Sequence, residues 1–163
     1  MTKEELVGIM RHEAHVLNHL FTKVRDIDVH HKLSEKQRSV LELFQYLAFM
    51  GPTILTAVKS GAFDNEAWKA AEEQAKSADM EGIKAELAGL GDKVAELIEQ
   101  FDDEEFRQEM EMFGNTATKG VHIVRTVLQG YSAYRTQIFV QIKANGQHEL
   151  NTMNLWAGKD AGS

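Results

Sequence analysis

The sequence predicts an all-α fold, a bundle of four long helices, and three observations lead there. Only one proline interrupts 163 residues, apolar residues recur at spacings of three and four along four long stretches, and Ser, Thr or Asp stands ahead of most of them as a cap. The whole chain, 1–163, reads as one domain, long enough to bury a core of several helices without staples.

Thr2 with Glu5 three residues later is a capping-box signature, and Leu6, Ile9, Met10, Leu17, Leu20, Phe21 and Val24 follow at helical spacing. This predicts a first helix over 3–24. Ser34 with Gln37 forms a second such box ahead of Val40, Leu41, Phe44, Leu47, Ile54, Leu55 and Val58, so the second helix runs to about residue 60, where Gly61 stops it. Gly51-Pro52 predicts a kink within it, because proline removes a hydrogen bond and crowds the preceding turn. Residues 64–77 are rich in Ala and Glu with Trp68 as the one large apolar residue, which suits a surface helix or a partly ordered excursion.

Asp79 caps a third long helix carrying Ile83, Leu87, Leu90, Val94, Leu97, Ile98 and Phe101, although Gly82, Gly89 and Gly91 each weaken it by up to about 1 kcal/mol. Residues 102–113 are acidic with Phe106, Met110 and Met112, a short helix or an irregular strand pair closed by a turn at Gly114-Asn115. The last helix covers 121–144, and the tail after Gly146 carries Leu150, Leu155 and Trp156, whose apolar groups are expected to fold back on the bundle.

Composition removes several functions. With no cysteine there is no thiolate or disulfide chemistry, and a net charge of -7 opposes the basic footprint that a phosphate backbone demands, so no nucleic-acid partner is expected. The chain also lacks an apolar run of the roughly 18 to 20 residues needed to span a bilayer and starts without a basic and apolar leader. The expectation is a cytoplasmic protein with no membrane partner. No Gly-x-Ser-x-Gly elbow or glycine-rich phosphate loop is present, and the acid pairs Asp102-Asp103 and Glu104-Glu105 sit in a charged stretch that reads as solvated surface.

Three of the seven histidines, His12, His15 and His19, share one face of the first helix, turned away from its apolar stripe. They read as a solvated or dimer-interface stripe, with Zn or Ni binding as the alternative, since imidazole suits those metals. His12-Glu13-Ala14-His15 is one residue too short for the zinc-protease arrangement. His30-His31 falls in a polar loop and is expected to be exposed, and His122 reads as a satisfied structural residue.

The stretch Gly130-Tyr131-Ser132-Ala133-Tyr134-Arg135-Thr136-Gln137, with Gly146 after it, resembles the last bundle helix of the DinB-like family, whose members typically show His-x-x-x-His-Arg-x-Gln. Arg38 through Leu47 is similar to that family's second helix, Asp103-Glu104-Glu105-Phe106 with Gly114 to its linker, and Asn154-Leu155-Trp156-Ala157-Gly158 to endings seen in some members. The resemblance implies a four-helix bundle of up-down-down-up order, with an extra helix or loop between helices 2 and 3 and a C-terminal tail, commonly homodimeric. Members with an intact histidine triad bind a divalent metal and include thiol-dependent transferases and hydrolases. Here the three corresponding positions read Gly130, Tyr134 and Tyr46.

A catalytic zinc site takes three His, Asp, Glu or Cys ligands, and Gly and neutral Tyr do not supply them. No cofactor is therefore expected at the family position. The spacing puts Thr126, Gly130 and Tyr134 on one face with Gln137 beside it, and Tyr46 opposite them would complete a small-ligand pocket. The leading expectation is a homodimeric binding protein, its dimer face formed by the first helix with its histidines or the last helix with Tyr131. The alternative is a thiol-dependent transferase or metal-dependent hydrolase with a site relocated to His12, His15 and His19, and a third is a stress-response interaction protein.

Overall fold

The computed structural model describes residues 1–162. Helix α1 (Lys3–Phe21) starts on the Thr2–Glu5 capping box, and α2 (Val40–Ser60) starts on Ser39 with Glu42, not on Ser34 with Gln37. Ser34 instead closes a turn, its carbonyl accepting from Gln37 N. Both boxes satisfy the four-residue pattern, so the choice fell to tertiary contacts. The N–H groups of Val40 and Leu41 donate to the carbonyls of His31 and Val29, which pins the start of α2 to the 22–39 crossover.

Helix α2 runs through Pro52 without a break in its assigned span. Gly51 has a different task from the predicted interruption: a Cβ there would meet the Tyr131 phenol oxygen at 2.0 Å, so only glycine lets that ring pack against the helix. By length and composition α2 also passes as a membrane span, contrary to the reading from apolar runs, but 72% of its apolar window is buried inside the bundle. Its mixed residues hide the span in the bare sequence, and the core accounts for their apolar character.

After Gly61, whose left-handed φ of 82° ends α2, comes α3 (Asn65–Lys76), a helix with no buried residue. Then α4 (Met80–Glu99) starts on Asp79, as its cap predicts. The 102–113 segment resolves into both of the predicted options: α5 (Asp103–Arg107), then β1 (Glu109–Met112) paired antiparallel with β2 (Asn115–Thr118). Phe113 and Gly114 form the turn, both at positive φ, 54° and 74°, as a two-residue hairpin requires. The last helix begins on Thr118 as α6 (Lys119–His122), widens into a π-helical stretch over Ile123–Leu128, and continues as α7 (Gln129–Ala144).

Packing places α1 most closely on α4, α2 on α3 and α4, and α7 between α2 and α1. Consecutive helices α1 and α2 are thus not closest neighbours, and the long 22–39 crossover is what connects them. Leu17, Leu20, Phe44, Leu55, Leu87, Ile98, Val127 and Ile138, contributed by all four long helices, meet in one apolar cluster. Ile9, expected in that stripe, is 38% exposed.

The crossover carries a buried carboxylate that its polar composition conceals. Asp28 is 0% exposed and accepts from Arg25 N, Nε and Nη2, from Asn145 Nδ2 at the end of α7, and from Gln147 Nε2. His31, predicted exposed beside His30, is half-buried, with its Nε2 shut away from partners.

Candidate functional site

Tyr46 and Tyr134 meet. Their ring centres lie 4.9 Å apart at an interplanar angle of 65°, an edge-to-face contact between α2 and α7. Together with Phe49 and Gln137 they border an open pocket of about 910 Å³ enclosed by the crossover, α2, α3 and α7. Trp68 of α3 closes the aromatic cluster from behind, 6.1 Å from Tyr46 and 4.9 Å from Phe49. Gln45, buried one residue before Tyr46, donates through Nε2 to the carbonyls of Lys76 and Ala78 and so ties α3 to this wall.

Arg38 lies over the pair, its guanidinium carbon 4.2 Å from the Tyr46 ring centre and 5.7 Å from that of Tyr134. Its backbone is anchored from α7, where Gln141 Nε2 donates to the Arg38 carbonyl at 3.1 Å. Burial, reinforced by Tyr134 and opposed by Arg38, pushes the Tyr46 phenol up to about 12. At neutral pH Tyr46 is therefore a hydrogen-bond donor and a poor anionic ligand.

Thr126 and Gly130 stay out of the pocket. The Thr126 hydroxyl donates to the His122 carbonyl at 2.6 Å in its own helix, and the space above Gly130 is filled by Met50, whose Cε would stand 2.9 Å from a Cβ added there. For Thr126 the reason is the π-helical stretch Ile123–Leu128, whose wider turn upsets its spacing to Tyr134; Gly130 keeps the α-helical spacing to Tyr134, but Met50 of α2 fills the space before it. Arg135 also turns away: it is 4% exposed, its Nε lies 3.2 Å from Glu13 Oε2 of α1, and Nη1 donates to the Leu155 carbonyl at 2.5 Å.

The histidine stripe is the landing place of the C-terminal tail. His12 Nε2 lies 2.7 Å from the Trp156 carbonyl, Gly158 packs on the His15 ring with no room for a Cβ, and His19 Nε2 lies 3.1 Å from Asn154 Nδ2. Burial, then Lys23, holds the His19 imidazole below its usual range, against the opposing charge of Asp160. The tail thus folds back as expected through Leu150 and Asn154, but Trp156 itself remains 65% exposed, with Arg135 5.7 Å from its ring. Among the described residues no three His, Asp or Glu converge in an arrangement that could hold a metal ion, so the relocated three-histidine site is not assembled.

Tyr131, named in the sequence reading for a dimer face of the last helix, is 2% exposed, a core residue packed on Gly51, and burial pushes its phenol above the usual range. His122 is a satisfied structural residue, its Nε2 donating to the Met110 carbonyl at 3.1 Å.

No protein-family model and no curated protein matches the sequence. Among solved structures, the crystal structure of a DinB-like protein, YjoA, from Bacillus subtilis superposes with a TM-score of 0.66, covering 87% of this chain and 92% of that one at 17% identity. The fold is DinB-like.

The metal that the resemblance associates with this fold finds no fitting donor set here. Gly130 has no donor and is backed by Met50, and Tyr46 is held in its neutral form. What the DinB-like scaffold has at this place is an aromatic pocket under a cation. Sequence reading placed Tyr46, Tyr134 and Gln137 together, as the structure does, but did not place Arg38 on this pocket or Trp68 behind its aromatic residues. The signal for Trp68 was its isolation, since a large aromatic on an otherwise polar helix needs a partner surface.

Proposed function

We propose that this chain is a DinB-like bundle protein that works by binding a small molecule between α2, α3 and α7, without family-type metal chemistry. The observation that carries this reading is the Tyr46–Tyr134 contact, 4.9 Å between ring centres, at the edge of a pocket of about 910 Å³. A volume of that size suits a small organic ligand, and the lining sets the aromatic wall of Tyr46, Phe49 and Tyr134 beside polar and charged side chains, Gln137 among them, that can fix its orientation.

The test pairs two measurements on untagged protein. Elemental analysis after equilibration with zinc and nickel, followed by dialysis, is expected to find well under one equivalent of metal. A thermal-shift screen of small organic acids, amines and neutral aromatics is expected to yield compounds that stabilise the native chain and lose their effect in the Tyr46→Phe/Tyr134→Phe variant. A full equivalent of retained metal, or stabilising compounds indifferent to both tyrosines, would overturn the proposal.

A further inference from the structure

We propose that the ligand of this pocket is a small carboxylate carried on a flat unsaturated body, with Arg38 as the group that reads its charge. The inference rests on the binding function proposed above and adds the ligand's class.

Charge around the pocket is committed unevenly. Glu42 is held by Ser39 N at 2.7 Å and by Lys32 at 2.9 Å, and Glu72 pairs with Lys76 at 3.1 Å. Among the described residues, Arg38 and Lys36 have no carboxylate within ion-pairing distance, although the chain carries 25 acidic residues against 18 Lys and Arg. Two cations without an ion-pair partner thus stand where the pocket opens, and the two carboxylates that line it are paired.

Arg38 is also oriented for recognition. Its guanidinium carbon lies over the Tyr46 ring, 4.2 Å from the centre, and among the described residues its side chain donates no hydrogen bond. A planar fork of N–H groups resting on a ring matches two carboxylate oxygens, a geometry an ammonium does not reproduce. The body of the ligand is set by the walls. Tyr46, Phe49 and Tyr134 pack edge to face on one another at 4.9 to 5.5 Å and so form one aromatic wall of the pocket, on which a flat π-system can lie. A cationic ligand would meet Arg38 and Lys36 with no free carboxylate to compensate.

Trp68, in contact with Tyr46 and Phe49, is a built-in reporter. In a Trp156→Phe background, which removes the exposed tail indole, Trp68 fluorescence is followed during titration with benzoate, or with benzamidine as its cationic counterpart, at matched ionic strength. Benzoate is expected to give a saturable change, benzamidine to bind at least about tenfold more weakly, and Arg38→Ala to weaken benzoate by about tenfold, with partial recovery in Arg38→Lys. Arg38 is exposed, so these variants retain the core. Equal binding of benzamidine, or benzoate binding indifferent to Arg38→Ala, would overturn the charge assignment while the pocket stands. No saturable change with either probe would overturn the ligand class and count against the binding function itself.

Discussion

Replacing Asp28 with Asn tests whether one buried carboxylate ties the crossover to the end of the bundle. The side chain is 0% exposed and accepts five hydrogen bonds of 2.7 to 3.0 Å, from Arg25 three times, from Asn145 and from Gln147. These bonds, Arg25 first, overcome the cost of burial and hold the carboxyl at about 2, against an ordinary 3.8. At ~1.36 kcal/mol per pH unit, a difference of that order stabilises the fold by roughly 2 kcal/mol at neutral pH. Arg25, 41% exposed, can turn to water, whereas Gln147, 5% exposed, cannot, so the uncharged replacement also strands a buried donor. The expected loss is about 3 kcal/mol, or about 9 °C in Tm for a chain of this size.

The pH dependence gives a second reading. Because the folded carboxyl is the stronger acid, its contribution is complete above about pH 5 and falls through the window from 4 to 2, reaching about half by pH 3. Urea unfolding of both proteins at pH 7, 5 and 3 should therefore show their difference narrowing at the acid end. A loss below about 1 kcal/mol at pH 7, or a difference unchanged at pH 3, would refute the assignment of Asp28 as the hub.

Three further outcomes follow from the packing. Gly51→Ala is expected to cost about 2 kcal/mol in urea unfolding although Ala normally favours a helix, because its Cβ meets the Tyr131 phenol oxygen at 2.0 Å; Tyr131→Phe should relieve only part of that cost, since the ring's Cζ and Cε2 would still stand 2.7 and 3.0 Å from that Cβ. Tyr134→Phe should lower the Tyr46 titration from about 12, followed by tyrosinate absorbance, since Tyr134 contributes to the raised value after burial itself. Arg135→Met should destabilise by about 3 kcal/mol by leaving Glu13, 8% exposed, without its cation, and Glu13→Gln in the same chain should recover part of it, as measured by thermal and urea unfolding. If Glu13→Gln brings no recovery, the pair is not coupled.

The site was half legible. Tyr46, Tyr134 and Gln137 were reached by matching one family pattern onto two helices, and the structure brings them to one pocket. Thr126 was placed by ideal α-helical spacing, which the π-helical stretch at Ile123–Leu128 breaks, and Gly130 is shut off by Met50, a contact from another helix. Arg38 was passed over because nothing in its immediate neighbours shows that the crossover will lay it on Tyr46. The histidine stripe was recognised as a shared face off the core, but a tail more than a hundred residues away covers part of it, and local periodicity contains no trace of that contact.

The sequence by itself determined where helices start and stop at Thr2, Gly61 and Asp79, because capping and glycine conformation are settled within one turn of backbone. It also determined which faces are apolar, since the helical period is a local property. Only the tertiary structure decided which of two capping boxes opens α2, that Gly51 makes room for Tyr131, that Asp28 gathers Arg25, Asn145 and Gln147, and that two tyrosines on different helices meet beneath Arg38. Each of these depends on the rotation and depth of one helix against another, which is set by filling a shared core and satisfying its buried polar groups, not by any short run of residues.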